Sequence, residues 1–276
     1  MFDNVRYASV NGLDGFLGCE TMVDGVLSLP FNLDKVQVRG SIGLIVLASD
    51  QTIEGEFRHW TGSASVSVYQ SRIFNDNRIT PATLKAMEAR IGEASAAILP
   101  GVPLDVIAFG CTSASMIIGE QTVFEKIRES RPDVACTTPI TATFAALEAF
   151  GTKRIALLTP YRDDVNRTIQ HYIEARGIEV PAMGSFHEED DRRVCRIDKT
   201  SIRDAAIALG KDPDIDGVFI SCTGLRTQAV IADIEKALQK PVTSSNHALA
   251  WHCLRLAGID DRRDDGGMLF QRDLVV

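Results

Sequence analysis

The 276-residue sequence has no stretch approaching the roughly 20 uninterrupted apolar residues of a membrane-spanning helix. Its opening, MFDNVRYASVNGLDG, lacks the basic segment and apolar core of a secretory leader. A soluble, cytoplasmic protein is expected. Positive charge is in deficit, with 29 Lys and Arg against 37 Asp and Glu for a net −8, so nothing draws the chain to a polyphosphate backbone or an anionic lipid surface. Neither nucleic acid nor membrane is expected as a partner. No GxxxxGK followed by Ser or Thr occurs, and Gly12, Gly15 and Gly18 do not form GxGxxG; a nucleotide cofactor has no fingerprint here. The six cysteines (Cys19, Cys111, Cys136, Cys195, Cys222, Cys253) include no CxxC, and a chain of this size needs no disulfide staples. Free thiols are expected. His247 and His252 stand five apart, off a shared helix face, so structural roles are expected for both and no metal.

What is present is a globular composition, 45% apolar and 24% charged, too hydrophobic for a disordered chain. Apolar runs at Ile42 to Ala48, Val106 to Gly110, Arg154 to Leu158 and Gly217 to Ser221 read as strands buried on both faces. Helical patterns lie between them, at Ala82 to Ala97, Gln121 to Ser130, Thr141 to Phe150, Asp164 to Arg176 and Gln228 to Leu238. Alternation of this kind predicts an α/β fold with parallel sheets flanked by helices.

The chain also repeats itself. GLIVLASDQT from Gly43 resembles RIALLTPYRD from Arg154, and VIAFGCTSAS from Val106 resembles VFISCTGLRT from Val218. Leu44 to Cys111 and Ile155 to Cys222 are both 67 positions, so the anchors superpose without a gap. A third pair links Val134 to Val242. Two pseudo-symmetric Rossmann-like lobes are therefore expected, at 41–151 and 152–258, with an N-terminal extension (1–40), a C-terminal tail (259–276) and the active site in the cleft between the lobes.

Cys111 and Cys222 each follow a buried strand and precede a helical pattern, where α/β folds place their sites. Each helix N-terminus is expected to lower the thiol pKa from its usual value of about 8.5 and to bind a carboxylate. Facing each other across a cleft, two such thiols suit proton removal on one face of a carbon and delivery on the other. They equally suit thiolate addition to a conjugated double bond, rotation and expulsion.

GCTSAS (Gly110 to Ser115), SCTGLRT (Ser221 to Thr227), ASDQTIEGE after the first strand and LLTPYRDDVN after its counterpart together resemble the Asp/Glu racemase superfamily. Within it they are most similar to the branch of maleate cis-trans isomerases and arylmalonate decarboxylases, and to related ectoine-utilisation proteins. The resemblance spans about residues 40 to 260 and implies a cofactor-independent enzyme acting on a small carboxylate, with a homodimer as a possible assembly. It implies Cys111 and Cys222 as catalytic residues, with Thr112, Ser113, Thr223 and Gly224 holding carboxylate oxygens and Tyr161 bonding substrate. Arylmalonate decarboxylases have glycine at the first cysteine, so Cys111 speaks against pure decarboxylation.

Two departures bear on substrate. Where the isomerases carry Asn after the first strand, this chain has Ser49-Asp50-Gln51-Thr52, and a second expected Asn is replaced within Asp191-Arg192-Arg193. Asp50 and Gln51 thus fall at substrate-binding positions, and a carboxylate there favours an amino-acid-like substrate over maleate; Asp50 also reads as a helix N-cap. Arg226 reads either as a partner for a distal carboxylate or as an exposed first-turn residue, Asn166 as cleft-reaching or helix surface, and the acidic run Glu188 to Asp191 as a solvated loop. A binding protein with inert cysteines is the non-enzymatic alternative.

Overall fold

The computed structural model describes residues 22–23, 26–27, 31–33, 38–62 and 65–275. The proposed N-terminal extension, with Cys19, lies largely outside them. In the N-terminal unit, β1 (Met22–Val23) pairs antiparallel with β2 (Val26–Leu27). Everything from Val38 onward forms a second compact unit, which carries the chemistry.

That unit is built on two four-stranded parallel sheets. In the first, the order is β4 (Val66–Ile73), β3 (Gly40–Leu47), β5 (Val106–Phe109), β6 (Ala135–Thr137). In the second, it is β8 (Glu179–Ser185), β7 (Arg154–Thr159), β9 (Gly217–Ile220), β10 (Val242–Ser244). The two orders are the same strand for strand, and the resembling segments occupy equivalent places. In both sheets the first strand in sequence sits between the second and third, so the chain reverses direction between β3 and β5, and again between β7 and β9. A crevice opens at the carboxyl ends of the strands at such a reversal.

The central strands are fully buried, among them Ile42, Leu44, Ile45, Val106, Ile107, Leu157, Phe219 and Ile220, which explains why their sequences are continuous apolar runs rather than alternating ones. Helices cover them. In the first half these are α1 (Ile53–Thr61), α2 (Pro81–Lys85), α3 (Glu88–Ala97), α4 (Thr112–Ile118), α5 (Glu120–Arg128) and α6 (Pro139–Phe150). The second half adds α7 (Asp163–Glu174), α8 (Asp191–Val194), α9 (Lys199–Gly210), α10 (Ile231–Leu238) and α11 (Ser245–Leu256). Helix starts follow side-chain chemistry: Thr138 and Ser244 accept from the N–H three residues on, at equivalent places before α6 and α11.

One expected helix is two. Thr80 and Thr83 form a reciprocal cap with Pro81 in the first turn, and the chain turns at Ala86 and Met87 before α3 begins. The break puts Met87, 2% exposed, on the wall of the cavity described below. The C-terminal residues are bound to the core rather than trailing from it: Leu269 and Phe270 are buried, and Phe270 stacks with His247.

Candidate active site

Four loops converge at the carboxyl ends of the central strands. Those after β5 and β9 bring Cys111 and Cys222, the loop after β7 brings Tyr161, and the loop after β3 brings Asp50. Cys111, Thr112, Ser113, Tyr161, Cys222 and Thr223 line one small cavity together with Leu47, Asn75, Ile79, Leu84, Met87 and Asp191. Its volume is about 20 Å³, room for about one water.

Both sulfurs line the cavity. Cys111 is the N-cap of α4, and its Sγ lies 3.9 Å from Ser113 Oγ. Cys222 Sγ accepts the Gly224 N–H at 3.4 Å. Tyr161 lines the same cavity. Its own loop is fixed by Asn166 on α7, which accepts from Thr159 Oγ1 at 2.5 Å and donates to the Tyr161 carbonyl at 2.8 Å. Asn166 is buried and is neither a cleft residue nor a surface one.

The electrostatics reverse the expectation of lowered thiol pKa values. Burial pushes Cys111 up to about 12 and Cys222 well above the ordinary thiol value; the Asp191 carboxylate adds to both. N–H donors at the helix start oppose the shift without overcoming it, and among the described residues no cation is buried beside either sulfur to compensate desolvation. Burial likewise raises Tyr161.

Bonds between the halves fix the geometry. Thr112 Oγ1 donates to Ser245 Oγ at 2.7 Å, and Ser245 Oγ also accepts the Cys222 N–H at 3.0 Å. Thr223 Oγ1 reaches the Gly110 carbonyl at 3.4 Å, and Thr52 Oγ1 donates to the Gly224 carbonyl at 2.9 Å. Glu56, buried on α1, accepts from the Thr227 N–H at 2.5 Å, the Gln228 N–H at 2.7 Å and Asn246 Nδ2 at 2.9 Å, anchoring the loop beyond Cys222. A carboxylate so desolvated has a raised pKa, moderated by those donors.

The remaining sequence candidates divide. Asp50 is buried, but its Oδ1 accepts from the N–H groups of Thr52 and Ile53 at 2.7 and 2.8 Å, starting α1 from behind the cavity. It is not among the lining residues. Gln51 is exposed. Gly224 spends its N–H on Cys222, and Arg226, exposed, donates to the Ile197 carbonyl. His252 meets Thr137 at 2.8 Å and His247 meets Thr243 and Gly266, all within the core. Among the described residues no three of His, Cys, Asp and Glu gather as metal ligands.

The acidic run is not a solvated loop. Arg78 and Asp190 form an antiparallel bridge, with Ile79 N–H donating to the Glu189 carbonyl and Asp191 N–H to the Asn77 carbonyl, both at 2.9 Å. This pairing carries Asp191 into the cavity wall. There its Oδ2 accepts from Ser49 Oγ and, at 3.4 Å, from Asn75 Nδ2. Asn75, Arg78 and Met87 were not singled out from sequence; the polar turn Asn75-Asp76-Asn77 after an alternating stretch was the available signal.

A site of this build, at two equivalent chain reversals, belongs to a recognisable class. The arylmalonate decarboxylase family matches residues 64–270, and the chain belongs to that family. Arylmalonate decarboxylase from Bordetella bronchiseptica is 36% identical over 124 residues, 45% of this chain; the chain spans about half of that relative, 52% of its length. Maleate isomerase from Alcaligenes faecalis is 25% identical over 240 residues, 82% of this chain and 94% of that one. The fold is shared with Nocardia farcinica maleate cis-trans isomerase, solved as a cysteine-to-serine mutant with a covalently bound succinylcysteine intermediate: TM-score 0.78 at 24% identity, covering 84% of this chain and 98% of that one. These relatives are enzymes. Among the described residues no helix is long and apolar enough to cross a membrane.

Proposed function

We propose that this chain is a cofactor-independent isomerase of small carboxylic acids, with Cys111 and Cys222 as the reacting groups. The observation that carries the reading is that both cysteines, one from each half and each at the end of an equivalent strand, line one cavity. In racemisation, one sulfur as thiolate takes the proton from the carbon beside the carboxylate, and the other, as thiol, returns a proton to the opposite face; the two exchange protonation states, and the carbanion exists only between the transfers. In cis-trans isomerisation, one thiolate adds to a conjugated double bond, the new single bond rotates, and the same carbon–sulfur bond breaks to regenerate the thiolate.

Thr112, Ser113, Tyr161 and Thr223 line the cavity with both sulfurs, and their hydroxyls are suited to hold carboxylate oxygens where negative charge builds up. Cys111→Ala and Cys222→Ala should each lower turnover by about 10²- to 10⁴-fold, the usual contribution of one proton-transfer group. Retained turnover in either variant would refute a two-cysteine scheme. Decarboxylation is the second reading, favoured by the 36% match to an arylmalonate decarboxylase. Deuterium uptake from solvent at the carbon beside the carboxylate without CO₂ release marks the racemase; CO₂ release marks the decarboxylase.

A further inference from the structure

The mechanism above leaves one buried carboxyl group of the cavity unused, its pKa raised by burial. Asp191 is 8% exposed and lines the cavity with both cysteines. Ser49 and Asn75 both donate to its Oδ2, while Oδ1 has no hydrogen-bond partner and the residue no ion-pair partner among the described residues. Its backbone is held in place, with its N–H donating to the Asn77 carbonyl and its carbonyl accepting from the Cys195 N–H at 3.4 Å. Arg78 is the basic residue of the lining; its side chain is 67% exposed and lies 3.5 Å from Glu189. Arg72, below the loop after β3, is taken up by the Leu47, Ala48 and Asp50 carbonyls and by Glu54.

A buried carboxylate with a vacant oxygen beside two sulfurs repels a second anion and attracts a cation, since charges in a poorly solvated site interact strongly. We propose that Asp191 is the specificity-determining residue for a cationic nitrogen on the substrate, so that the acid handled here is amino-acid-like, its carboxylate on the hydroxyls and its ammonium on Asp191 Oδ1. This rests on the isomerase reading and narrows it. It also moves the discriminating carboxylate from Asp50, which caps a helix, to Asp191. A bound ammonium would offset the negative charge that opposes thiolate formation at Cys111 and Cys222, coupling occupancy of the site to activation of the sulfurs.

The test uses charge-matched thiol reagents on the full chain. Wild type and Asp191→Asn, which keeps the shape and the bonds to Ser49 and Asn75, are treated with 2-aminoethyl methanethiosulfonate (cationic) and 2-sulfonatoethyl methanethiosulfonate (anionic). Each forms a mixed disulfide with the thiolate and releases methanesulfinate. Rates are read at Cys111 and Cys222 by mass spectrometry, with thermal melting to verify folding. The cationic-to-anionic rate ratio should fall at least about tenfold in Asp191→Asn, the effect of roughly one pK unit of charge interaction. An unchanged ratio in the folded variant overturns the assignment, as does failure of the cationic reagent to modify either sulfur in the wild type. Where Asp191→Asn does not fold, Asp191→Glu replaces it and must keep the wild-type ratio, a changed ratio again overturning the assignment. Because labelling reads charge preference and not turnover, it can fail while Cys111→Ala and Cys222→Ala still abolish activity, and the reverse, so the two readings fail separately.

Discussion

Thr112 and Ser245 are joined by a 2.7 Å hydrogen bond that runs from the residue after one cysteine to an oxygen already holding the N–H of the other. The placement of Cys111 relative to Cys222 therefore depends on a hydroxyl that touches neither sulfur in the hydrogen-bond network.

Ser245→Ala removes that hydroxyl and strands two buried donors, the Thr112 hydroxyl and the Cys222 N–H. The cost should be about 1–3 kcal/mol, a melting decrease of about 2–4 °C per kcal/mol for a chain of this size. Turnover should fall even at temperatures where the variant is fully folded. Unchanged melting and unchanged turnover together would show the bond to be dispensable.

Thiol reactivity should follow the raised pKa values. With Cys111 near 12 and Cys222 also elevated, only a small thiolate fraction exists at neutral pH, and that fraction grows about tenfold per pH unit below the pKa. Iodoacetamide labelling of both, followed by peptide mass spectrometry in the absence of substrate, should be slow at pH 7 and climb steadily to pH 10. A plateau near pH 7 would mean that a resting thiolate is present.

Glu235 tests the linkage between burial and stability. Its carboxylate accepts from the Met268 and Val242 N–H groups, yet burial raises its pKa from 4.5 to about 7. The folded state then holds a proton that the unfolded state has lost, so this group's contribution is fully present below pH 4.5 and declines as pH rises to about 7. In denaturant melts, wild type measured against Glu235→Gln should lose relative stability across that window. A difference that stays flat with pH would contradict the raised value.

Gly110 admits no side chain. A Cβ there would lie 2.6 Å from Ile53 Cδ1 and 3.0 Å from the Ile45 carbonyl oxygen. Gly110→Ala should cost about 1–3 kcal/mol by overpacking, seen as a lowered melting temperature, and should disturb Cys111 directly because the displaced residue precedes it. Wild-type melting would mean that β5 and α1 separate at little cost.

Strands β3, β5, β7 and β9 were legible in the sequence because burial on both faces leaves an unbroken apolar run. The edge strands β4 and β8 were not: Val66 to Arg72 and Ala182 to Ser185 are only partly covered, so no such run is required of them. The three-residue strands β6 and β10 are too short to carry a period. Cys111, Thr112, Ser113, Tyr161, Cys222 and Thr223 were recognisable because each follows within a few residues of a legible strand. Asn75 follows an edge strand and Met87 a helix break; Asp191 was noted as a departure, but its place in the cavity wall comes through pairing between residues 78 and 190, a contact that local sequence does not encode. Local sequence likewise made Asp50 look like the discriminating carboxylate: type and position agreed, but only the fold shows its Oδ1 accepting from the Thr52 and Ile53 N–H groups.

The exchange of partners across the molecular midline makes the two halves interdependent. With Thr223 leaning on Gly110, Thr112 on Ser245 and the Thr227 loop on Glu56, each half supplies acceptors to the other. Neither fragment of a severed polypeptide would hold a competent pocket alone.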